Sequence, residues 1–117
     1  MTSGKVNFQD EPEVYVSLMI DGRLRRKRAI VDTGFNGYLS PPASFAKNWY
    51  FSGYEQYEIA TGDIVEQKVY LGKILWNRKI RDVYAVTSHA DDILIGTKLL
   101  RQNILVIDFA KKRVSIK

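Results

Sequence analysis

The chain has no cysteine. That excludes disulfides, thiolate nucleophiles and cysteine-built metal sites. It has a single histidine, His89, so one chain cannot supply a histidine metal centre, and a Ser-His-Asp triad would hang on that residue alone. Long hydrophobic runs are missing as well. The apolar runs are only a few residues long, too short for a membrane-spanning helix, so no membrane partner is expected. The start of the sequence, Met1-Thr2-Ser3-Gly4-Lys5, lacks the apolar segment of a signal peptide. With cysteine absent as well, the expected compartment is the cytoplasm. Low-complexity segments and repeats of fixed period are absent.

What is present is enough for one core. The chain has 117 residues, of which 45% are hydrophobic and 26% charged, the profile of a single globular domain. The net charge is +5, with much of the excess in Arg23, Arg25, Arg26, Lys27 and Arg28. Such a run can be an anion-binding patch or a solvated hairpin end whose cations discourage edge pairing. It follows a turn signal, lies between two strand patterns and has no aromatic within it, so the hairpin reading is favoured. A nucleic-acid platform would interleave aromatics with the cations on one face.

Residues 1–12 are polar with a brief Val6/Phe8 alternation, and read as a tail or an edge strand preceding a domain over 13–117. Residues 14–20 are rich in β-branched residues and read as a strand. Asp21-Gly22 is a strong hairpin signal, and the chain returns through residues 24–31. Ser40-Pro41-Pro42 resembles a helix start with Ser40 as cap, predicting a short helix over 42–47 or 48. Ser52-Gly53 reads as a break. Strands follow at 54–60 and from 64 onward, joined by a turn at Thr61-Gly62-Asp63, with Gly72 expected to permit a bulge. Another strand spans 80–86. Ile93-Leu94-Ile95-Gly96 is a short apolar strand. Residues 97–103 read as a short helix with Thr97 as N-cap and Asn103 as left-handed terminator. Residues 104–109 and 114–116 form a last hairpin. The sum is an all-β fold, a small closed barrel with one or two short helices.

The residues that need a chemical explanation are Asp32-Thr33-Gly34. An apolar strand delivers the acid to its end, facing the interior, where a carboxylate is costly unless it is compensated. One ionised aspartate is a poor base for water. Two aspartates roughly 3 Å apart share a proton, so one serves as base and the other as acid. Only Asp32 among the aspartates has the Asp-Thr-Gly context, and the chain is too short for two such lobes. A two-aspartate site therefore requires a homodimer. The sequence also echoes itself loosely: an apolar strand ending in a glycine turn occurs at 29–34 and again at 93–96.

In order along the chain come a strand hairpin, Asp32-Thr33-Gly34, a glycine-tipped hairpin, Ile93-Leu94-Ile95-Gly96-Thr97-Lys98-Leu99-Leu100 and a final strand pair. This arrangement resembles the retroviral-type (retropepsin-like) aspartic proteases. The form Asp-Thr-Gly-Phe-Asn-Gly-Tyr-Leu looks closest to the cellular, prokaryotic-type members. The resemblance implies a homodimeric aspartic peptidase with an acid-protease-like barrel, no metal or cofactor, and a peptide or protein substrate. Asp32 would be the catalytic acid/base. Thr33 would bond across the dimer axis, and Gly34 would present backbone to substrate. Asn36 and a flap tip at Thr61, Gly62 and Asp63 would bind the peptide as an added strand. Ile95 and Gly96 would support the loop. Viral members usually place an acid two residues beyond the motif glycine and an arginine after the second glycine, as an ion pair. Here those positions hold Asn36 and Thr97, which implies a neutral substitute contact. Two other readings remain: a non-catalytic dimerisation or peptide-binding module of the same fold, and a basic barrel that binds nucleic acid.

Overall fold

A computed structural model describes residues 1–117. The chain forms β1 (Thr2–Val6), β2 (Pro12–Ile20), β3 (Arg23–Val31), β4 (Leu39–Ser40), β5 (Tyr50–Glu58), β6 (Ile64–Trp76), β7 (Lys79–Val86), β8 (Ile93–Ile95), β9 (Leu105–Asp108) and β10 (Arg113–Ile116). They make one sheet in the order β5-β6-β7-β4-β8-β3-β2-β1-β10-β9, with an added β6–β2 pairing. That extra pairing closes a ring. β2 bonds β3 along one side, and on the other side it bonds β1 near Val14 and β6 at Ser17 and Leu18. The ring β2-β3-β8-β4-β7-β6 is thus a small closed barrel, as the strand pattern predicts.

Alternation explains what fills it. Leu18, Leu39, Ile74, Ile93, Ile95 and Leu99 are almost fully buried, and each such side chain contributes about 2 kcal/mol by leaving water. The cations of β3 stay exposed at Arg23, Arg25, Arg26 and Arg28. The hairpin turns carry the left-handed residues that their twist demands. Asp21 (φ 52) and Gly22 (φ 78) join β2 to β3, and Asn77 (φ 51) and Arg78 (φ 65) join β6 to β7.

Several local expectations need correction. Residues 1–12 are neither a tail nor an edge, because β1 is paired on both sides, with β2 and with β10. The Asn7 side chain organises the turn between β1 and β2: its Oδ1 accepts from the Gln9 and Glu11 amides at 2.9 and 3.0 Å. The helix expected at 42–47 is only a 3₁₀ segment, Ala43–Ala46, preceded by Pro42 with no side-chain cap. Ser40 is instead buried within β4. Residues 97–103 form no helix. Leu99 N–H bonds Gly96 O at 3.2 Å and Asn103 N–H bonds Leu100 O at 2.9 Å, which are successive tight turns in a segment too short to hold an α-helix. The left-handed residue there is Gln102 (φ 66), one before Asn103. Ser52 and Gly53 do not break the chain. They sit inside β5, where the register shifts between Phe51 and Gly53, so the bulge falls there. At Gly72 the β6 ladder is regular, paired with Val83. Its missing Cβ instead makes room for the Trp49 ring, which a methyl would meet at 2.7 Å.

Candidate active site

The loop after β3 is held by strands that are distant in sequence. β8 lies between β3 and β4: it pairs parallel with β3 (Val31↔Ile95) and antiparallel with β4 (Leu39↔Ile95). The two echoed stretches of sequence are therefore neighbouring parallel strands. The chain leaves the barrel at Val31, makes the loop and returns at Leu39 on the other side of β8. Asp32 N–H bonds Ile95 O at 2.9 Å, Gly96 N–H bonds Tyr38 O at 3.1 Å, Thr97 N–H bonds Phe35 O at 2.9 Å and Lys98 N–H bonds Gly37 O at 3.0 Å. The loop's backbone is thus pinned to the segment that begins at Ile95.

Gly96 is required by this close approach. A Cβ there would collide with the carbonyl oxygens of Gly37 and Phe35 and with the Phe35 ring. Ile95 and Leu99, on either side, are buried in the core. Both residues assigned to loop support thus lie directly against it.

Asp32 itself is half-buried rather than interior, and Thr33 and Gly34 are exposed. The premise of a fully buried carboxylate is therefore corrected: the acid stands at the barrel's rim, where water reaches it. Its Oδ1 accepts the Gly34 amide at 2.9 Å, and Phe35 N–H closes the turn on Asp32 O at 3.1 Å. One carboxylate oxygen is thereby fixed by the loop, and the other is left without a partner in its own chain. Thr97 Oγ1 lies 3.5 Å from Asn36 Oδ1, a long contact at the limit of a hydrogen bond. It joins the two positions at which a neutral substitute contact is expected.

The loop separates two hollows. On one side is a cavity of about 410 Å³ between the loop and the stems of β5, β6 and β7, lined in part by Asn36, Tyr38, Tyr57, Val69, Tyr84 and Lys98. On the other is a cavity of about 430 Å³ that includes Asp32, Thr33, Asp10, Glu11, Leu94 and Ile107. Asn36 lines the cleft under the hairpin, and Asp32 and Thr33 border the second hollow at the rim.

Thr61, Gly62 and Asp63 form the far tip of the β5–β6 hairpin and line neither cavity. Gly62 is left-handed (φ 88), and Thr61 Oγ1 donates to Asp63 Oδ2 at 3.0 Å. The chain alone does not bring this tip to Asp32. Sequence reading missed Tyr57, Tyr84 and Lys98. For the two tyrosines the signal was alternation along the hairpin strands, which marks one face but not what that face looks onto; Lys98, in the turns after β8, carried none. It also missed Glu13, a buried carboxylate (3% exposed) that accepts from Asn7 Nδ2 at 3.1 Å and lies 3.8 Å from Arg28.

No protein-family model and no curated protein matches the chain. Solved structures do. The solution structure of the simian foamy virus (mac) protease aligns with a TM-score of 0.57 at 17% identity, covering 74% of this chain and 90% of that one. The foamy viral protease-reverse transcriptase in complex with an RNA/DNA hybrid aligns with a TM-score of 0.56 at 18% identity, over 80% of this chain. This chain spans only 13% of that protein. At such identities the likeness concerns the fold: the chain has a retroviral-protease-like fold, an almost entirely β structure.

Proposed function

We propose that two copies of this chain form an aspartic peptidase with one active site on their two-fold axis. The observation that carries this reading is the pinned but exposed Asp32-Thr33-Gly34 crown, which offers a single carboxylate with one oxygen fixed and the other open. A second crown facing it would supply the missing acid. One ionised Asp32 would take a proton from a water held between the carboxylates. The protonated Asp32 of the other copy would give its proton to the scissile carbonyl oxygen as the water oxygen attacks carbon. The tetrahedral diol would then collapse: one hydroxyl gives its proton to the ionised carboxylate as C=O re-forms, and the C–N bond breaks as the other carboxyl's proton passes to the leaving nitrogen. The substrate would lie extended beneath the β5–β6 hairpin, held through main-chain bonds, with the cleft beside Tyr38 and Tyr57 taking a side chain. The form Asp32-Thr33-Gly34-Phe35-Asn36-Gly37-Tyr38-Leu39 supports a cellular, prokaryotic-type relationship, and the cysteine-free sequence supports a cytoplasmic setting.

Hydrolysis of a peptide library by wild type, Asp32→Asn and their mixtures tests this. Asp32→Asn is expected to be inactive and, in excess, to suppress wild type by forming mixed dimers. Undiminished cleavage by Asp32→Asn would overturn the proposal. A folded wild-type dimer without turnover would instead support a peptide-binding module.

A further inference from the structure

The chain has five asparagines, Asn7, Asn36, Asn48, Asn77 and Asn103, and four of them are shielded. Asn7 Nδ2 donates to Glu13 at 3.1 Å, and Asn48 Nδ2 donates to Asp21 at 2.6 Å. Asn103 Nδ2 donates to Asn77 Oδ1 at 3.2 Å and to Lys117 O at 3.1 Å. The residues that follow these four are Phe8, Trp49, Arg78 and Ile104, whose side chains crowd their own backbone nitrogens. Trp49 and Ile104 also have their N–H groups engaged, on Ala46 O and Lys117 O, each at 3.0 Å. Asn36 differs in every respect. It is exposed, its Nδ2 donates to no protein atom, and its Oδ1 has only the 3.5 Å contact with Thr97. The residue after it is Gly37.

The bonds that pin this loop leave those atoms free. Phe35, Gly37 and Tyr38 are held through their carbonyl oxygens, by the N–H groups of Thr97, Lys98 and Gly96. The Gly37 N–H donates no hydrogen bond within the chain. Gly37 is itself fixed by packing, since a Cβ there would meet the Phe35 ring at 2.5 Å. The residue that leaves the nitrogen beside Asn36 open is therefore one the loop requires.

We propose that Asn36-Gly37 is a self-modifying site: in the folded protein Asn36 deamidates through the Gly37 nitrogen, turning a neutral amide of the cleft into a carboxylate. The Gly37 nitrogen gives up its proton and bonds to Asn36 Cγ. The Cγ–Nδ2 bond breaks, and Nδ2 leaves as ammonia while a succinimide ring closes. Water then opens the ring, at Cγ to give aspartate or at the main-chain carbonyl to give isoaspartate. The sum is one water consumed and one ammonia released, with no change of oxidation state. Aspartate keeps the length of the backbone between the bonds at Phe35 O and Gly37 O, whereas isoaspartate adds a methylene between them. The new carboxylate is ionised at neutral pH. Thr97 donates to it in a charge-assisted bond, stronger than the contact it replaces. Lys98 lines the same cleft and forms no ion pair of its own. The cleft thus gains a negative charge as the protein ages and comes to disfavour acidic side chains against basic ones. That change of preference rests on the peptidase reading, and the modification does not.

The test holds wild type folded in mildly alkaline buffer, digests it under acidic conditions that halt the reaction, and maps each asparagine by mass spectrometry. Asn36 is expected to convert on the order of tenfold faster than any of the other four, a barrier lower by about 1.4 kcal/mol. Intact wild type is expected to gain a more acidic band on isoelectric focusing. Asn36→Gln is expected to gain none, because its longer side chain closes a ring far more slowly. Conversion of Asn36 no faster than the others, or only after unfolding in denaturant, overturns the site. Conversion in a protein that cleaves no peptide supports the site and removes the peptidase. Where wild type does cleave, Asn36→Asp is expected to lower the ratio of kcat/KM for acidic over basic peptides several-fold, and an unchanged ratio overturns the change of preference.

Discussion

Two glycine turns in this molecule are built in opposite ways. The crown at Asp32 takes its hydrogen bonds from a segment some sixty residues later in the sequence. The hairpin tip takes its bonds from itself: Ile59 N–H to Asp63 O at 3.0 Å and Gly62 N–H to Ile59 O at 2.9 Å. Behind the crown are buried Ile95 and Leu99, whereas every residue from 54 to 64 is exposed. The contrast shows where stiffness comes from. A turn bonded to distant, buried backbone cannot open without breaking the core, while a turn bonded only to itself can swing as a unit. A site that holds a carboxylate fixed and admits a long substrate under a cover needs one of each.

The contrast can be broken most severely at its chemical end. Asp32→Asn keeps an oxygen for the Gly34 amide, so it should abolish hydrolysis while the melting temperature stays within a few degrees of wild type. Gly96→Ala should do the reverse, acting on structure first. The new methyl meets backbone on two sides, and overpacking of this kind costs about 3 kcal/mol. Thermal unfolding should read this loss, with activity falling alongside it. Gly62→Ala at the tip places a side chain at a left-handed φ, at a cost of about 1 kcal/mol. That strain is confined to the hairpin, so peptide turnover should change more than global stability does. Smallest is Thr97→Val. Removal of a long, exposed contact should cost no more than about 0.5 kcal/mol by denaturant titration. Hydrogen exchange sharpens the same comparison: the amides of Asp32, Gly96 and Thr97 should exchange near the global limit, and that of Gly62 orders of magnitude faster. Equal rates would remove the distinction between fixed crown and moving cover.

The sequence made the barrel strands readable because alternation and left-handed turn pairs are local signals. Asp21-Gly22 is an example. The pairing of β3 with β8 was visible only as an echo, since parallel neighbours need not be close in sequence. What escaped was decided by tertiary demands. β1 looked like a polar tail because half of its residues face water, yet its backbone is bonded on both sides. Gly72 read as a bulge because nothing nearby announces that the Trp49 ring needs the space. The turns at 97–103 read as a helix because Leu99 and Leu100 fit either structure, and the Gly96 support changes little between them. Of the candidate site, the placement of Ile95 and Gly96 against the loop was legible only through the family resemblance. The half-exposed state of Asp32 was not, because an apolar strand does not reveal at which residue it leaves the barrel.

The pairing of Thr2 with Ile116 bears on how the chain reaches this structure. The β2–β3, β5–β6 and β6–β7 hairpins can zip locally, but β1 is sandwiched only once β10 has arrived from the opposite end of the sequence. Closing so large a loop places folding among the slow, high-contact-order β proteins rather than the fast helical ones. Until that closure the first strand is held by β2 alone, and the apolar β9 edge has no β10 to align it. The strands that complete the sheet, β1 and β10, are therefore the ones whose pairing waits for the longest closure.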